Sequence, residues 1–225
     1  MDEPPLPPIG INPDAVTERI ELGNGSWVDV TRGWLLGADE LYESLLTGVA
    51  WSQGRMFRYE RMVEERRLGS FWAPGRPLPH PALADVHRTL QRTYKVEFRG
   101  FGMIQYRNGR DGQGFHRDTD MKWLDETRIA ILTLGAKRPW LLRPWAAKFD
   151  KRDRTEGRGA SHDLAPGPGD LLVMGGRCQA DWQHSVPYLS DRLVRPRISL
   201  QWRWTSRTGR PFAGGSYGAP LTYSR

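Results

Sequence analysis

The chain has 225 residues, of which 38% are hydrophobic, 26% charged and 11% aromatic. That composition belongs to a globular chain able to bury a sizeable core, and it excludes disordered and fibrous classes. No run of about 18 apolar residues is present, so a membrane span is excluded. One cysteine, Cys178, excludes an internal disulfide and a cysteine-based zinc cluster, so any metal must sit on His, Asp or Glu. Cys178 itself reads as a small buried apolar residue. The net charge of +7 raises the odds of a polyanionic partner, since Arg donates a planar fork to phosphate.

In chain order, residues 1–14 read as a flexible or extended leader with Pro4, Pro5, Pro7 and Pro8 close together. The leader is acidic and lacks the basic start and apolar stretch of a secretion signal, so a cytoplasmic location is expected. Residues 26–34 read as a strand and turn. Gly37 to Trp51 carries Leu41, Leu45, Leu46 and Val49 at helical spacing. Pro81 to Tyr94 forms a second amphipathic helix, with Leu83, Val86, Leu90 and Tyr94 on one face.

From about residue 96 the pattern changes to short apolar or alternating runs between Gly, Pro and Asp clusters. These are 96–106, 129–134, 138–143, 170–174, 183–188 and 197–204. Several short strands at this spacing predict a sandwich or barrel. Residues 144–163 read as a long charged surface loop. The expected fold is mainly β with α+β character: a double-stranded β-helix, or jelly roll, with flanking helices. One domain is expected over 1–225, its core at about 96–204.

The sharpest local feature is Gly114-Phe115-His116-Arg117-Asp118. In extended backbone His116 and Asp118 point to the same side, so both could reach one ion. Downstream, Trp182-Gln183-His184-Ser185 supplies another histidine. Two histidines and one carboxylate form the facial triad that holds non-haem iron(II) with open positions. A His-x-Asp pair alone is common by chance, and His80, His87 and His162 read as ordinary surface or loop histidines. A third element adds weight. Alternation over 197–203 places Arg197, Ser199, Gln201 and Arg203 on one face. Two cations on one face of a core strand are costly unless anions meet them. The bland reading is an exposed sheet face. The sharper one is a dicarboxylate: the two Arg Cα atoms lie roughly 20 Å apart along the strand, too far for a single carboxylate, and their long side chains leaning inward take opposite ends of 2-oxoglutarate, Arg197 the distal carboxylate and Arg203 the iron end.

Tyr106-Arg107-Asn108-Gly109, His116-Arg117-Asp118, Gly169-Asp170 through Gly176, Trp182 through Pro187 and Arg197 through Arg203, in this order and spacing, resemble the AlkB family of oxidative nucleic-acid demethylases. The resemblance covers about residues 60–204. It implies a jelly roll with an N-terminal nucleotide-recognition lid at about 50–80. It implies iron(II) on His116, Asp118 and His184, with dioxygen as cosubstrate. It places 2-oxoglutarate against Tyr106, Arg197, Arg203 and Ser199. Asp120 matches an acid that contacts the exocyclic amine of the target base. Within Glu65 to Gly75, Trp72 is expected to stack on the flipped base opposite His116. Ile104 stands where the family carries an Asn, and Ser199 replaces another.

The implied activity is oxidative removal of alkyl groups from nucleobases of the 1-methyladenine or 3-methylcytosine type, in DNA or RNA, with release of aldehyde, succinate and CO2. A buried iron demands a single-stranded or flipped base. Arg107 and Arg110, with Arg55, Arg58, Arg61, Arg66 and Arg67, are candidate phosphate contacts. A monomer is expected. Rival readings are an iron/2-oxoglutarate oxygenase acting on a protein or small molecule, and a non-catalytic nucleic-acid-binding module.

Overall fold

The structure, a computed structural model, describes residues 8–58, 61–145, 162–190 and 193–213. Most of the expected 144–163 loop and the first half of the leader lie outside those residues. Two sheets face each other. The larger has eight strands in the order β2 (Thr17–Gly23), β3 (Ser26–Thr31), β12 (Leu171–Gly176), β9 (Thr127–Gly135), β14 (Arg197–Thr205), β7 (Phe101–Tyr106), β6 (Arg61–Trp72) and β5 (Ser52–Arg58). The smaller runs β11 (His162–Asp163), β10 (Leu141–Pro144), β13 (Trp182–Val186) and β8 (Gln113–His116). Among the described residues every pairing is antiparallel. This is the expected jelly roll.

Strand alternation sorts the larger sheet into two cores. Phe101, Met103, Leu132, Leu134, Ile198, Leu200 and Trp202 point outward against helices α1 (Ala38–Gly48) and α2 (Leu83–Tyr94). Leu41 and Leu45 of α1 and Leu83, Val86 and Leu90 of α2 complete that core, as their helical spacing predicts. The other face meets the smaller sheet: Tyr106, Ile129, Ile131, Leu172 and Met174 pack with Trp140, Leu142, Trp182 and Val186. Within the larger sheet, Gly175 of β12 pairs directly with Trp27 of β3. A Cβ at Gly175 would lie 2.0 Å from the Trp27 ring, so only glycine fits under that indole.

Three expectations change. Ile9 and Ile11 pack on the helix-side core and Gly10–Ile11 pairs with β4 (Leu35–Leu36), so the leader is structured from residue 8 onward. Residues 96–100 are not strand; the run 96–106 pairs only from Phe101. His87 is no surface residue: it accepts a hydrogen bond from Trp202 Nε1 at 3.0 Å, and burial lowers its pKa.

The region expected as a lid is the β5–β6 hairpin, which extends the larger sheet through β7. Among the described residues no helix is long and apolar enough to cross a membrane.

Cys178 opens the four-residue helix α3 (Cys178–Asp181), is fully buried, and faces the Trp27 carbonyl at 3.2 Å. Burial pushes its thiol up to about 12. The thiolate is the reactive form. The native protein at pH 8 is therefore expected to resist a thiol-disulfide reagent, and to react stoichiometrically once unfolded. Rapid labelling of the folded protein would contradict this packing.

Candidate metal centre

The centre is built where the smaller sheet pairs β8 with β13. His116 stands directly opposite His184 in that register. Cross-strand neighbours lie close enough for side chains to meet. The two imidazole centres are 4.1 Å apart. The chain leaves the strand after His116, and Asp118 initiates a 3-10 turn at Thr119–Met121. Gln179 of α3 accepts the Asp118 amide at 2.8 Å and fixes that exit. Asp118 Oδ1 then lies 3.5 Å from His116 Nε2 and 3.9 Å from His184 Nε2.

Each ring is oriented. His116 Nδ1 faces the Gly114 carbonyl at 2.9 Å, which leaves Nε2 for a ligand. His184 lies nearly parallel to the Trp140 ring, at 5.5 Å. Burial, with the His116 charge adding to it, pushes His184 down to about 3; burial also lowers His116. Both are therefore neutral at physiological pH, as metal ligation requires. Burial alone would raise Asp118. The Arg203 charge, ahead of His184, His116 and Arg67, outweighs it and holds the carboxyl at about 2. Arg203 bridges Asp118 Oδ2 at 3.1 Å and Asp120 Oδ2 at 3.2 Å.

The three potential ligand atoms all lie within 4.8 Å of one another. Two neutral imidazoles and one ionised carboxylate, with room left over, fit iron(II). The 2-oxoglutarate side is tested by Arg197. Its guanidinium is fully buried, and Nε and Nη1 have no hydrogen-bond partner among the described residues. Only Nη2 is engaged, by Thr133 Oγ1 at 3.2 Å. Burial pushes this group down to about 10. A buried cation with unmet donors fits a carboxylate. Tyr106, 2% exposed, lies opposite Arg197 in the β7–β14 register. Ser199 follows one pleat along, buried, and Gln201 and Arg203 complete the row toward the metal.

The outer residues divide. Asp120 sits exposed beside the metal ligands. Arg107 is committed to Asp111 through Nε at 2.7 Å and Nη2 at 3.0 Å, so its charge is answered within the chain. Arg110 is exposed. Trp72 does not face the metal. It pairs with Phe101 in register, stacks on that ring at 5.3 Å, and meets His87 edge-on at the helix-side core. Its Nε1 donates to the Arg76 and Pro77 carbonyls. The aromatic on the other face of β6 is Phe71, which is 63% exposed and pairs with Gly102. Arg67 shares that inner face and acts electrostatically on all three ligands, while forming an ion pair with Glu65 at 3.3 Å. Counting parity back from Phe101 would have found Phe71, had the β6–β7 register been known.

No family model matches the chain. The chain is 29% identical over 179 residues to alpha-ketoglutarate-dependent dioxygenase alkB homolog 3 of Bos taurus, covering 74% of this chain and 61% of that protein. The Homo sapiens counterpart is 28% identical over 208 residues, covering 87% and 68%. DNA oxidative demethylase ALKBH2 of Mus musculus is 29% identical over 128 residues, covering 56% and 52%. The chain thus spans about three fifths of the bovine relative's length. Among solved structures, OsALKBH1 superposes with a TM-score of 0.55 at 13% identity, covering 84% of this chain and all of that one. A Trichoplax adhaerens prolyl hydroxylase, solved with a hypoxia inducible factor peptide, gives 0.53 at 13%, covering 78% and 82%. These two likenesses are of fold.

A jelly roll carrying His116, Asp118 and His184 around one point, with buried Arg197 on a neighbouring strand, is the arrangement that suits a 2-oxoglutarate and iron(II) oxygenase. In sequence the chain is similar to mammalian AlkB-homolog dioxygenases and to a DNA oxidative demethylase.

Asp118→Ala is expected to lower iron(II) affinity at least about tenfold, by loss of a charged ligand, in a titration under argon. Unchanged affinity would remove Asp118 from the ligand set.

Proposed function

We propose that this protein is an iron(II)- and 2-oxoglutarate-dependent dioxygenase that dealkylates N-alkylated bases in nucleic acid. The observation that carries the reading is the meeting of His116, Asp118 and His184 beside a buried arginine whose donors are unmet. When bound, iron(II), 2-oxoglutarate and dioxygen supply the two-electron oxidation that hydroxylates an N-alkyl carbon, and the products are succinate, CO2, an aldehyde and the repaired base.

The chain's own residues do the rest. His116, Asp118 and His184 hold the metal through two Nε2 atoms and a carboxylate oxygen. Arg197 takes the distal carboxylate of the cosubstrate, with the Tyr106 hydroxyl and Ser199 beside it. Arg203 stays at the metal end, balancing Asp118 and orienting Asp120. Asp120 accepts a hydrogen bond from the exocyclic amine of the target base. Phe71, rather than Trp72, stacks on that base from the hairpin, with His116 across from it. Base–aromatic stacking is worth about 1–3 kcal/mol. The hairpin thereby serves as the lid, and a base enters only when single-stranded or flipped. Arg55, Arg66 and Arg110, all exposed, supply phosphate contacts, so binding weakens as salt rises. Arg107 is left out, since Asp111 holds it.

One assay tests the reading: protein, iron(II) and 2-oxoglutarate with DNA and RNA oligonucleotides bearing 1-methyladenine or 3-methylcytosine, read by mass spectrometry. Loss of the methyl mass with matching succinate is expected. Succinate release driven by peptides and by no oligonucleotide would overturn it. In the same assay Phe71→Ala is expected to weaken oligonucleotide binding about tenfold. Trp72→Ala is expected to lower stability by about 3–5 kcal/mol at most while leaving oligonucleotide affinity per folded molecule intact. The reverse pattern would return the stacking role to Trp72.

A further inference from the structure

Beyond Arg197, a second guanidinium lies inside the barrel. Arg138 follows β9 and is 1% exposed. Its Nη1 donates to the Asn108 carbonyl at 3.2 Å, and Nη2 to the Asp111 and Pro187 carbonyls at 2.8 and 3.1 Å. Those bonds tie the loop after β7 to the end of β13. They are bonds to neutral acceptors, and they leave Nε buried with no partner among the described residues. The carboxylate whose charge reaches Arg138, that of Asp111, already holds Arg107 by three hydrogen bonds.

Arg138 and Arg197 converge on one ring. Their guanidinium carbons lie 5.4 and 5.9 Å from the Tyr106 ring centre. Neither forms an ion pair among the described residues, whereas the more exposed Arg19, Arg32 and Arg107 all do. Two like charges gathered in a buried space without an anion repel and are poorly solvated. Three donor nitrogens there stay unmet among the described residues: Nε and Nη1 of Arg197 and Nε of Arg138. Ile104, one pleat from Tyr106 on β7, offers no donor. A carboxylate accepts about four hydrogen bonds, and one guanidinium fork meets it with two.

We propose that Arg138 and Arg197 together form a doubly charged seat for the distal carboxylate of the cosubstrate, and that Arg138 sets its preference for a dicarboxylate. The inference rests on the 2-oxoglutarate reading above. In this arrangement Arg138 acts in two directions: Nη1 and Nη2 close the end of the barrel, and the remaining N–H and the charge face inward.

The test separates charge recognition from loop closure. Binding of 2-oxoglutarate and of 2-oxopentanoate, which has the same chain length and no tail carboxylate, is measured by calorimetry on the iron(II)-loaded protein under argon. Wild type is expected to prefer the dicarboxylate strongly. Arg138→Met is expected to shrink that preference at least about tenfold, as loss of a charge-assisted contact does. Arg138→Lys, which keeps the charge and loses the fork, is expected to retain most of it. If Arg138→Met weakens both ligands equally, Arg138 is only a clamp and the proposal fails while the cosubstrate reading stands. If wild type binds neither acid, the cosubstrate reading itself fails. Should Arg138→Met not fold, Arg138→Gln replaces it: the proposal stands if the preference shrinks with binding of 2-oxopentanoate unchanged, and falls if both ligands weaken equally or the preference is untouched.

Discussion

The constraint on which the molecule's chemistry depends is a single line of strand register. His116 faces His184 because β8 pairs with β13 at that position, and the pairing then shifts between His184 and Val186. A slip of one residue would send either imidazole to the opposite face of the smaller sheet. The backbone brings two ligands together before any side chain is chosen. The third arrives by a departure from the strand: Asp118 turns back toward the rings only because the 3-10 turn and Gln179 redirect its amide. Arg203, reaching across from the larger sheet, then keeps the carboxylate ionised and aimed.

The same register logic explains what could be read from residues alone. The helices declared themselves through Leu41, Leu45, Leu83, Val86 and Leu90, since a 3.6-residue period needs no distant partner to be visible. The alternation of Arg197, Ser199, Gln201 and Arg203 against Ile198, Leu200 and Trp202 was visible for the same reason, and both faces lie as that alternation requires. The His-x-Asp spacing brought out two of the three residues that meet at the candidate centre. What stayed hidden depends on contacts between remote segments. Whether Phe71 or Trp72 faces the cavity is decided by pairing with residues thirty positions downstream. Arg107 looked like a free phosphate contact because its partner Asp111 belongs to the same turn, whose shape is not written in any period. Arg138 passed unnoticed in Arg-Pro-Trp-Leu-Leu-Arg, where nothing distinguishes a buried cation from an exposed one.

Buried charge is unevenly answered in this fold. Asp29 and Asp170, both buried, are met by arginines from neighbouring segments and hold the sheet margin together. Toward the metal, Arg203 answers two carboxylates at once. Around Tyr106 the balance tips the other way: Arg138 and Arg197 form no ion pair among the described residues, and the nearby Asp111 carboxylate is held by Arg107. An interior whose charges are paired at its edges and left unpaired around one ring is electrostatically uneven. A small dianion would experience that place as its deepest point.

The β5–β6 hairpin carries a consequence for how such a protein diverges. Along β6 the residues that secure the framework, Trp72 among them, and those on the opposite face, Phe71 and Arg67, occupy alternate positions. Point replacements on one set leave the other untouched, so new ligand preferences can accumulate without eroding the scaffold. Insertions and deletions have no such freedom. Adding or removing one residue would exchange the two sets, and lineages descending from this chain should vary the hairpin by substitution, or in pairs of residues.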